Sequence, residues 1–166
     1  MTPRTRSYDW DATPLNMDLL ATLPGIDIIR MIAQGKLPAP SMAATMGMSL
    51  LPGEVTEGAV AFQGEPGDHV LNPLGTVHGG FAATLLDSAM GCAVHTLLPA
   101  GAGYGTVDLK VNFLRPILRD AGIVRVEGKV INAGRTLILA EGRVVGRDDG
   151  KLYAHGTSTC FVQAGR

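Results

Sequence analysis

The sequence predicts an α+β fold, in which an antiparallel sheet packs against a single long helix. Two short apolar runs come first, a nearly all-apolar segment of helical length follows, and strand-like segments complete the chain. Short connections join these last segments, and this arrangement favours strands that pair antiparallel with their neighbours.

The N-terminal part of the chain precedes this pattern. Residues 1–14 are polar and lack periodicity, so we expect a loose tail. Apolar residues then recur at helical spacing over 16–33, with an interruption at Pro24-Gly25. We therefore expect a tail and helical extension over residues 1–40, and the main domain over residues 41–166.

Two short strands open the main domain in this interpretation. Apolar runs over 43–51 and 58–62 favour strands, and Pro52-Gly53 between them predicts the turn. Residues 63–80 form a long segment that is punctuated by glycine and proline and has no regular periodicity. Long loops in compact domains are often functional, so this segment is a candidate part of the site.

The most strongly predicted element is a helix over 79–98. Its residues are almost all apolar or small, so most of its surface should be buried. Cys92 lies within it and is expected to be a buried, unreactive thiol. The other cysteine, Cys160, forms no Cys-x-x-Cys pair with it, so zinc and dithiol redox sites lack support.

Alternating apolar and polar residues indicate four strands in the C-terminal half. The predicted strands cover residues 104–114, 123–131, 136–145 and 152–162. Asp149-Gly150 lies between the last two and predicts a tight hairpin, because this pair tolerates positive φ angles.

Composition excludes several functional classes. The 166 residues carry 14 Lys+Arg against 15 Asp+Glu, and this balance without a basic cluster is unfavourable for nucleic acid binding. No apolar run approaches the ~18 residues of a membrane span, and no signal peptide is recognisable, so the cytoplasm is the expected location. Hydrophobic residues make up 46% of the chain and charged residues only 17%, and self-association is one way to bury that excess apolar surface.

Two features at the predicted helix carry chemistry. Gly79 and Gly80 open the helix, where bare backbone N–H groups suit a carbonyl oxygen that gains negative charge. A tight turn that needs positive φ is the alternative explanation for this glycine pair. Asp87 is an isolated carboxylate in an apolar helix, where it either acts as a base or nucleophile or accepts structural hydrogen bonds.

Asn72 and His78 precede this helix. His78 could hydrogen-bond, titrate or orient Asn72, and the other histidines form no evident ligand set with it, so no metal site is predicted. Asn72 either holds a water or a carbonyl group, or forms an Asx turn before Pro73.

Together these residues resemble the pattern of a known family. Asn-Pro-Leu-Gly-Thr-Val-His-Gly-Gly at 72–80, then Asp87, then Gly-Thr-Val-Asp-Leu-Lys-Val-Asn-Phe-Leu-Arg-Pro at 105–116 resemble the hotdog-fold acyl-CoA thioesterases of the phenylacetate-degradation (PaaI-like) group. The resemblance covers about 43–162. It implies a hotdog fold, homodimers or dimers of dimers with active sites at the subunit interface, and no cofactor.

The resemblance also assigns catalytic roles. The Gly79 N–H would bind the thioester carbonyl oxygen, and Asp87 from the partner subunit would act as nucleophile or general base. Asn72 and His78 would position the thioester or the attacking water. The Thr106 hydroxyl would help to hold that water.

Substrate-binding residues follow from the same resemblance. Gly80 would lie beside Gly79 at the thioester. Gly134 and Arg135 match a connection that lies near the CoA tail in relatives, and Arg135 is a candidate for the CoA phosphates. Arg115 is a weaker candidate of the same kind, and a solvated turn arginine is the alternative explanation for Arg135.

The sequence therefore predicts a thioesterase that acts on an aryl- or medium-chain acyl-CoA. Two other functions stay open: a hotdog dehydratase or hydratase of 3-hydroxyacyl thioesters, and a non-catalytic acyl-CoA-binding hotdog protein. His-Gly-Gly at the helix start is more typical of the hydrolases, and Asp87 argues against a protein that only binds.

Overall fold

The computed structural model describes residues 3–13 and 16–163, so residues 1, 2 and 14 of the predicted tail lie outside the described part. The helices are α1 (Met17–Thr22), α2 (Gly25–Ala33), α3 (Ser41–Met46) and α4 (Gly79–His95). The strands are β1 (Met48–Thr56), β2 (Ala59–Gly64), β3 (Gly103–Phe113), β4 (Val124–Ala133), β5 (Leu137–Gly146) and β6 (Leu152–Gln163). The boundary predicted near residue 40 stays a prediction.

The six strands form one antiparallel sheet in the order β1-β2-β4-β5-β6-β3. β1 and β3 are therefore its edges. The chain leaves the sheet after β2, forms α4, and returns at the opposite edge with β3. This long helix packed on one face of the sheet is the expected hotdog fold, which the structure confirms.

α4 is the centre of the core, as its composition predicts. Leu85, Leu86, Met90 and Val94 have no exposed surface, and the helix packs against β2, β3, β4, β5 and β6. The helix ends at His95, three residues before the predicted end. The strands of the C-terminal half follow the predicted order, and β5 alternates between exposed and buried residues along most of its length.

The first strand differs from the prediction. Residues 41–46 form α3, which Gly47 ends in a left-handed conformation with φ at 63°. Pro52-Gly53 lies inside β1, where the pairing with β2 is irregular between Leu50 and Val55. β1 is an edge strand, and an edge tolerates a proline that has no N–H to donate. The turn itself falls at Gly58, whose φ is 72°.

The predicted helical extension is confirmed as α1 and α2, with the interruption at Pro24-Gly25. The Gly25 N–H donates to the Leu98 carbonyl at 3.0 Å, next to the C-terminal end of α4. A side chain at Gly25 would overlap the His95 carbonyl, so glycine permits this close approach. Among the helices of the described residues, none combines the length and the apolar character that a bilayer crossing requires.

Candidate active site

The N-terminus of α4 has one capped and one uncapped N–H group. His78 is the N-cap residue, and its Nδ1 accepts a hydrogen bond from the Gly80 N–H at 2.9 Å. No acceptor for the Gly79 N–H occurs among the described residues. Gly79 therefore presents the available donor at the positive end of the helix dipole, whereas the Gly80 donor is already occupied.

Close approach explains both glycines. A Cβ at Gly79 would lie 3.0 Å from the Phe113 ring, and a Cβ at Gly80 would lie 3.0 Å from His78 Nδ1. Neither glycine is among the residues with positive φ, so the alternative explanation by a left-handed turn is wrong.

Asn72 closes the loop that leads to this helix. Its Oδ1 accepts from the Leu74 N–H at 2.9 Å, which is the Asx turn considered for it. Its Nδ2 donates to Thr76 Oγ1 at 2.8 Å, and its backbone pairs with Thr76 and Gly75. The Asn72 amide is thus fixed in position, and one Nδ2 hydrogen remains for a substrate or a water.

Asp87 and Thr106 form the other polar pair of the candidate site. The Thr106 hydroxyl donates to Asp87 Oδ1 at 3.0 Å, which joins the middle of α4 to β3. Thr106 lies beside an irregularity of the β3–β6 pairing, between Thr106 and Asp108. Bulges of this kind often re-aim side chains next to active sites. The contact places the Thr106 hydroxyl beside Asp87, and the role predicted for Thr106, to hold the attacking water, stays a prediction.

One chain keeps the two groups of residues apart. Asp87 and Thr106 line a cavity of about 310 Å³, whereas Asn72, His78 and Gly79 line another of about 340 Å³. Gly79 and Asp87 are eight residues apart on α4, so they are separated by about 12 Å along the helix axis. A nucleophile and an oxyanion donor must both lie ~3 Å from the reacting group. A single chain therefore does not bring the predicted oxyanion donor and the predicted carboxylate to one reacting group.

Other titratable groups around Asp87 are held in their neutral forms. Burial and the nearby Asp87 carboxylate raise the pKa of the Cys92 thiol to about 12, which favours the neutral thiol at neutral pH. The prediction that Cys92 is buried is wrong in part, because the residue is only half-buried. The exposed part of Cys92 faces the cavity that it lines. Burial likewise raises the pKa of Tyr104, on the same cavity wall. Within the described residues no group of His, Cys, Asp or Glu is arranged to hold a metal ion.

The predicted CoA-contacting residues are not grouped together. Arg115 lines the cavity beside Gly79, and its Nη1 donates to the Leu152 carbonyl at 2.8 Å. Gly134 and Arg135 lie at the connection between β4 and β5 and line neither of these two cavities.

Sequence reasoning missed most residues of the cavity beside Asp87. α2 contributes Ile29 and Ile32, β2 contributes Phe62, and β3 contributes Tyr104. These residues have no reactive side chains, and in the sequence they resemble ordinary core positions of separate elements. Only the packing of the N-terminal helices on the sheet shows that they share one cavity.

Comparisons with known proteins show the family to which the chain belongs. A sequence model of the thioesterase superfamily matches residues 74–153. The solved structure of a phenylacetic acid degradation-related protein from Ralstonia eutropha is 30% identical, with a TM-score of 0.72 over 80% of this chain and 98% of that one. The chain belongs to the thioesterase superfamily. The superfamily match includes His78, Gly79 and Asp87, and it leaves α1, α2 and α3 outside.

Other proteins extend this similarity to the thioesterase superfamily. A solved thioesterase family protein from Silicibacter pomeroyi is 27% identical, with a TM-score of 0.72 over 82% of this chain and 99% of that one. Acyl-coenzyme A thioesterase 13 of Mus musculus is 34% identical over 88 residues, or 53% of this chain and 61% of that relative. The chain matches 41%, 63% and 61% of the lengths of the first three curated relatives.

Proposed function

We propose that this member of the thioesterase superfamily hydrolyses acyl-CoA thioesters to a free carboxylic acid and CoA. The observation that carries the proposal is the Asp87–Thr106 hydrogen bond on the wall of an apolar cavity. The uncapped Gly79 N–H supplies the second group that the reaction needs. Similarity to acyl-coenzyme A thioesterase 13 supports CoA esters as the substrate class.

Two copies of the chain would share each active site. β3 is a sheet edge with an unpaired backbone, and Val107, Leu109 and Phe113 on it are exposed. If two β3 edges pair antiparallel about a two-fold axis, the sheet continues and the two α4 helices run side by side in opposite directions. The N-terminus of one α4 would then face the middle of the other. This arrangement supports a site formed by Gly79 of one copy and Asp87 of the other.

The chemistry needs one donor and one carboxylate. The Gly79 N–H donates to the thioester oxygen as that oxygen gains negative charge. Asp87 takes a proton from a water that attacks the carbonyl carbon, or attacks that carbon itself to give an anhydride that water then hydrolyses. On both routes the C–S bond breaks, the sulfur of CoA leaves as a thiolate and is protonated, and the acyl group becomes a carboxylic acid.

The remaining polar residues would bind the substrate and orient the reacting groups. The Thr106 hydroxyl holds the Asp87 carboxylate in place, and the free Nδ2 hydrogen of Asn72 reaches the thioester or the water. His78 keeps the first turn of α4 in position through its cap. Arg115 would pair with a CoA phosphate beside the cavity that it lines, whereas Gly134 and Arg135 would meet only a part of CoA that extends beyond that cavity.

Thiol release from a panel of acyl-CoA esters tests the proposal. We expect the wild type to release CoA, and Asp87→Asn to lose at least about 100-fold in rate, as for removal of a general base. Asp108→Asn is the matched control, because Asp108 lies at the same irregularity of β3. Its carboxylate accepts a hydrogen bond from the Thr159 N–H and makes none with Thr106. We expect that control to stay within a few-fold of the wild type.

Other outcomes would assign the protein to the alternatives. A change in enoyl absorbance without thiol release would indicate a dehydratase or hydratase. Ligand-dependent shifts of the melting temperature without any turnover would indicate a binding protein. Asp87→Asn with wild-type turnover would remove Asp87 from the mechanism.

A further inference from the structure

The cavity beside Asp87 has a wall that the superfamily match does not include. α2 supplies Ile29, Ile32 and Ala33, and α3 supplies Ala43. These residues precede the matched segment 74–153 by more than thirty positions. The N-terminal helices therefore build one side of the cavity, outside the segment that the superfamily model matches.

Backbone hydrogen bonds hold this wall at both ends. The Gly25 N–H donates to the Leu98 carbonyl at 3.0 Å, and the Gly101 N–H donates to the Leu20 carbonyl at 2.8 Å. At the far end, the Glu65 N–H donates to the Gly47 carbonyl at 3.0 Å, just after α3. Between these points the Arg30 Nε donates to the Val55 carbonyl at 3.3 Å. The helices thus form a fixed wall, and their side chains bound the cavity on this side.

The interior of the cavity suits an uncharged apolar group. Its lining is dominated by aliphatic side chains, and Phe62 and Tyr104 add aromatic surface. Asp87 is the single acidic residue in the lining, and no Lys or Arg from the described residues lines it. An anionic group would be repelled by Asp87 and would find no cation. The volume of about 310 Å³ lies at the small end of the ~300–1,000 Å³ range of ligand pockets.

We propose that this cavity binds the acyl group of the thioester, and that α2, through the Ile32 side chain in its lining, sets the size of the acyl group that fits. The inference rests on the proposed function, because the carbonyl carbon must lie at Asp87 while the acyl chain extends along the wall. The preferred substrate class is then a neutral, unbranched or aryl acyl group of medium size, and α2 is a specificity element of this chain.

Matched substitutions on one helix test the inference. Ile32→Ala enlarges the cavity and Ile32→Phe fills it. Ile26→Ala and Ile26→Phe are the controls, since Ile26 lies on the same helix, packs on the core and does not line the cavity. The first measurement is kcat/KM for hexanoyl-CoA and decanoyl-CoA. The second is the Kd of S-hexyl-CoA and S-decyl-CoA, thioethers that cannot be hydrolysed.

We expect Ile32→Ala to raise the decanoyl-to-hexanoyl ratio of kcat/KM by about tenfold and Ile32→Phe to lower it by about tenfold, the lower end of what even one methylene contributes to discrimination in an apolar pocket. The thioether affinities should shift in the same direction, and both Ile26 variants should keep the wild-type ratios. Unchanged ratios in active Ile32 variants would overturn the acyl pocket and leave the proposed hydrolysis standing.

If the protein releases no thiol, the proposed function is refuted. The thioether affinities would then show separately whether the cavity binds the alkyl chain. Loss of S-decyl-CoA affinity in Ile32→Phe, with S-hexyl-CoA affinity kept, would still assign the alkyl chain to this cavity. Equal affinities of both thioethers across all variants would overturn that assignment.

Discussion

Single hydrogen bonds decide which atoms of the candidate site are available. The Gly80 N–H is used by His78, so the donor for a substrate oxygen is the Gly79 N–H. The Asp87 carboxylate receives one hydrogen bond from Thr106 at Oδ1, which leaves lone pairs of both oxygens for a water. A carboxylate oriented in this way by a neighbouring hydroxyl needs little reorganisation before reaction.

Removal of the Thr106 hydroxyl is expected to lower kcat while the fold stays intact. Thr106→Val keeps the branched shape and loses the donor to Asp87. A hydrogen bond to a charged group is worth ~1.5–3 kcal/mol, which corresponds to about a tenfold to hundredfold loss of rate. Thr106→Ser should recover most of the rate, and circular dichroism should show the same fold in both. Equal kcat values for the valine and serine variants would contradict a positioning role.

At the residue scale, the sequence shows candidate groups more readily than the contacts around them. Asp87 is recognisable because a charge in an apolar helix is costly, and His-Gly-Gly because two glycines at a helix start are unusual. The sequence does not show why Gly79 is a glycine, since the Phe113 ring that approaches it lies far along the chain. The sequence does not decide whether Asn72 binds a water or carbonyl group or forms an Asx turn. In the structure Asn72 forms the turn and keeps one amide hydrogen free.

At the scale of elements, close contact between α4 and the sheet depends on glycines in the strands. A side chain at Gly128 of β4 would overlap the backbone carbonyl of Ala89 in α4. A side chain at Gly142 of β5 would lie 2.9 Å from Leu86. These strands can therefore approach the helix more closely than strands that carry a side chain there.

Gly128→Ala should consequently destabilise the protein. The added methyl group meets backbone atoms that cannot rotate away, and such overpacking costs ~1–3 kcal/mol. For a chain of this size each kilocalorie lowers the Tm by about 2–4 °C. Thermal unfolding measures the effect, with Gly53→Ala as control, because no atom lies within 4 Å of a Cβ at Gly53. Equal Tm values for the two variants would show that α4 and β4 can separate without cost.

An ion network on the other face of the sheet should make stability depend on pH. Arg125 donates to Glu54 at 2.6 Å and to Glu127 at 2.8 Å. The hydrogen bond from Arg125 holds the pKa of Glu54 below its ordinary value of 4.5. A lowered carboxyl pKa stabilises the folded state above the ordinary value, and this contribution is lost as the pH falls through the folded-state value.

We therefore expect Arg125→Gln to be less stable than the wild type at pH 7 by about 1 kcal/mol at most, because Glu54 is partly solvated. The two free energies of unfolding should converge below the ordinary pKa of Glu54. Denaturant titrations at pH 7 and in acid measure this. Arg147→Gln is the control, since its partner Asp148 is largely exposed. A difference that stays constant in acid would exclude Glu54 as its source.

The turn at the start of the sheet shows where local reasoning fails at this scale. Pro-Gly is a strong turn signal, yet Pro52-Gly53 lies within β1. The edge position of β1 is what allows this, and strand order is a tertiary property. A proline in a central strand would have interrupted the sheet.

At the scale of the whole molecule, the proposed site takes Gly79 from one copy and Asp87 from the other. Two inactive variants, each lacking one of these groups, should therefore restore activity when they form a mixed dimer. Asp87→Asn removes the carboxylate, and Gly79→Pro removes the oxyanion donor. Proline is favoured at the first position of a helix, and His78 already has the extended conformation that a following proline needs. The tip of the Phe113 ring, 3.0 Å from a Cβ at Gly79, must shift by a few tenths of an ångström to admit the proline, so circular dichroism has to show the wild-type fold. Each variant alone should be inactive. Co-refolded in equal amounts, they should recover about a quarter of wild-type activity, because half of the dimers would carry one intact site.

Mixing wild type with each variant is the control for subunit exchange, and native mass spectrometry measures the mixed dimers. Mixed dimers without recovered activity would place both groups in the same chain's site. A monomer that hydrolyses thioesters at high dilution would contradict the shared site altogether.

The sequence alone determined the order of the main elements and the burial of α4, and it supplied the candidate groups Gly79 and Asp87 on which the proposed function rests. Periodicity, glycine placement and an isolated carboxylate are local properties, and they persist whatever the rest of the chain does. The tertiary structure alone decided that Thr106 contacts Asp87, that Asp87 and Gly79 line different cavities, and that the N-terminal helices form one wall of the cavity beside Asp87. These arrangements join elements far apart in the chain, and they are set by the packing of whole elements, which local sequence patterns do not encode.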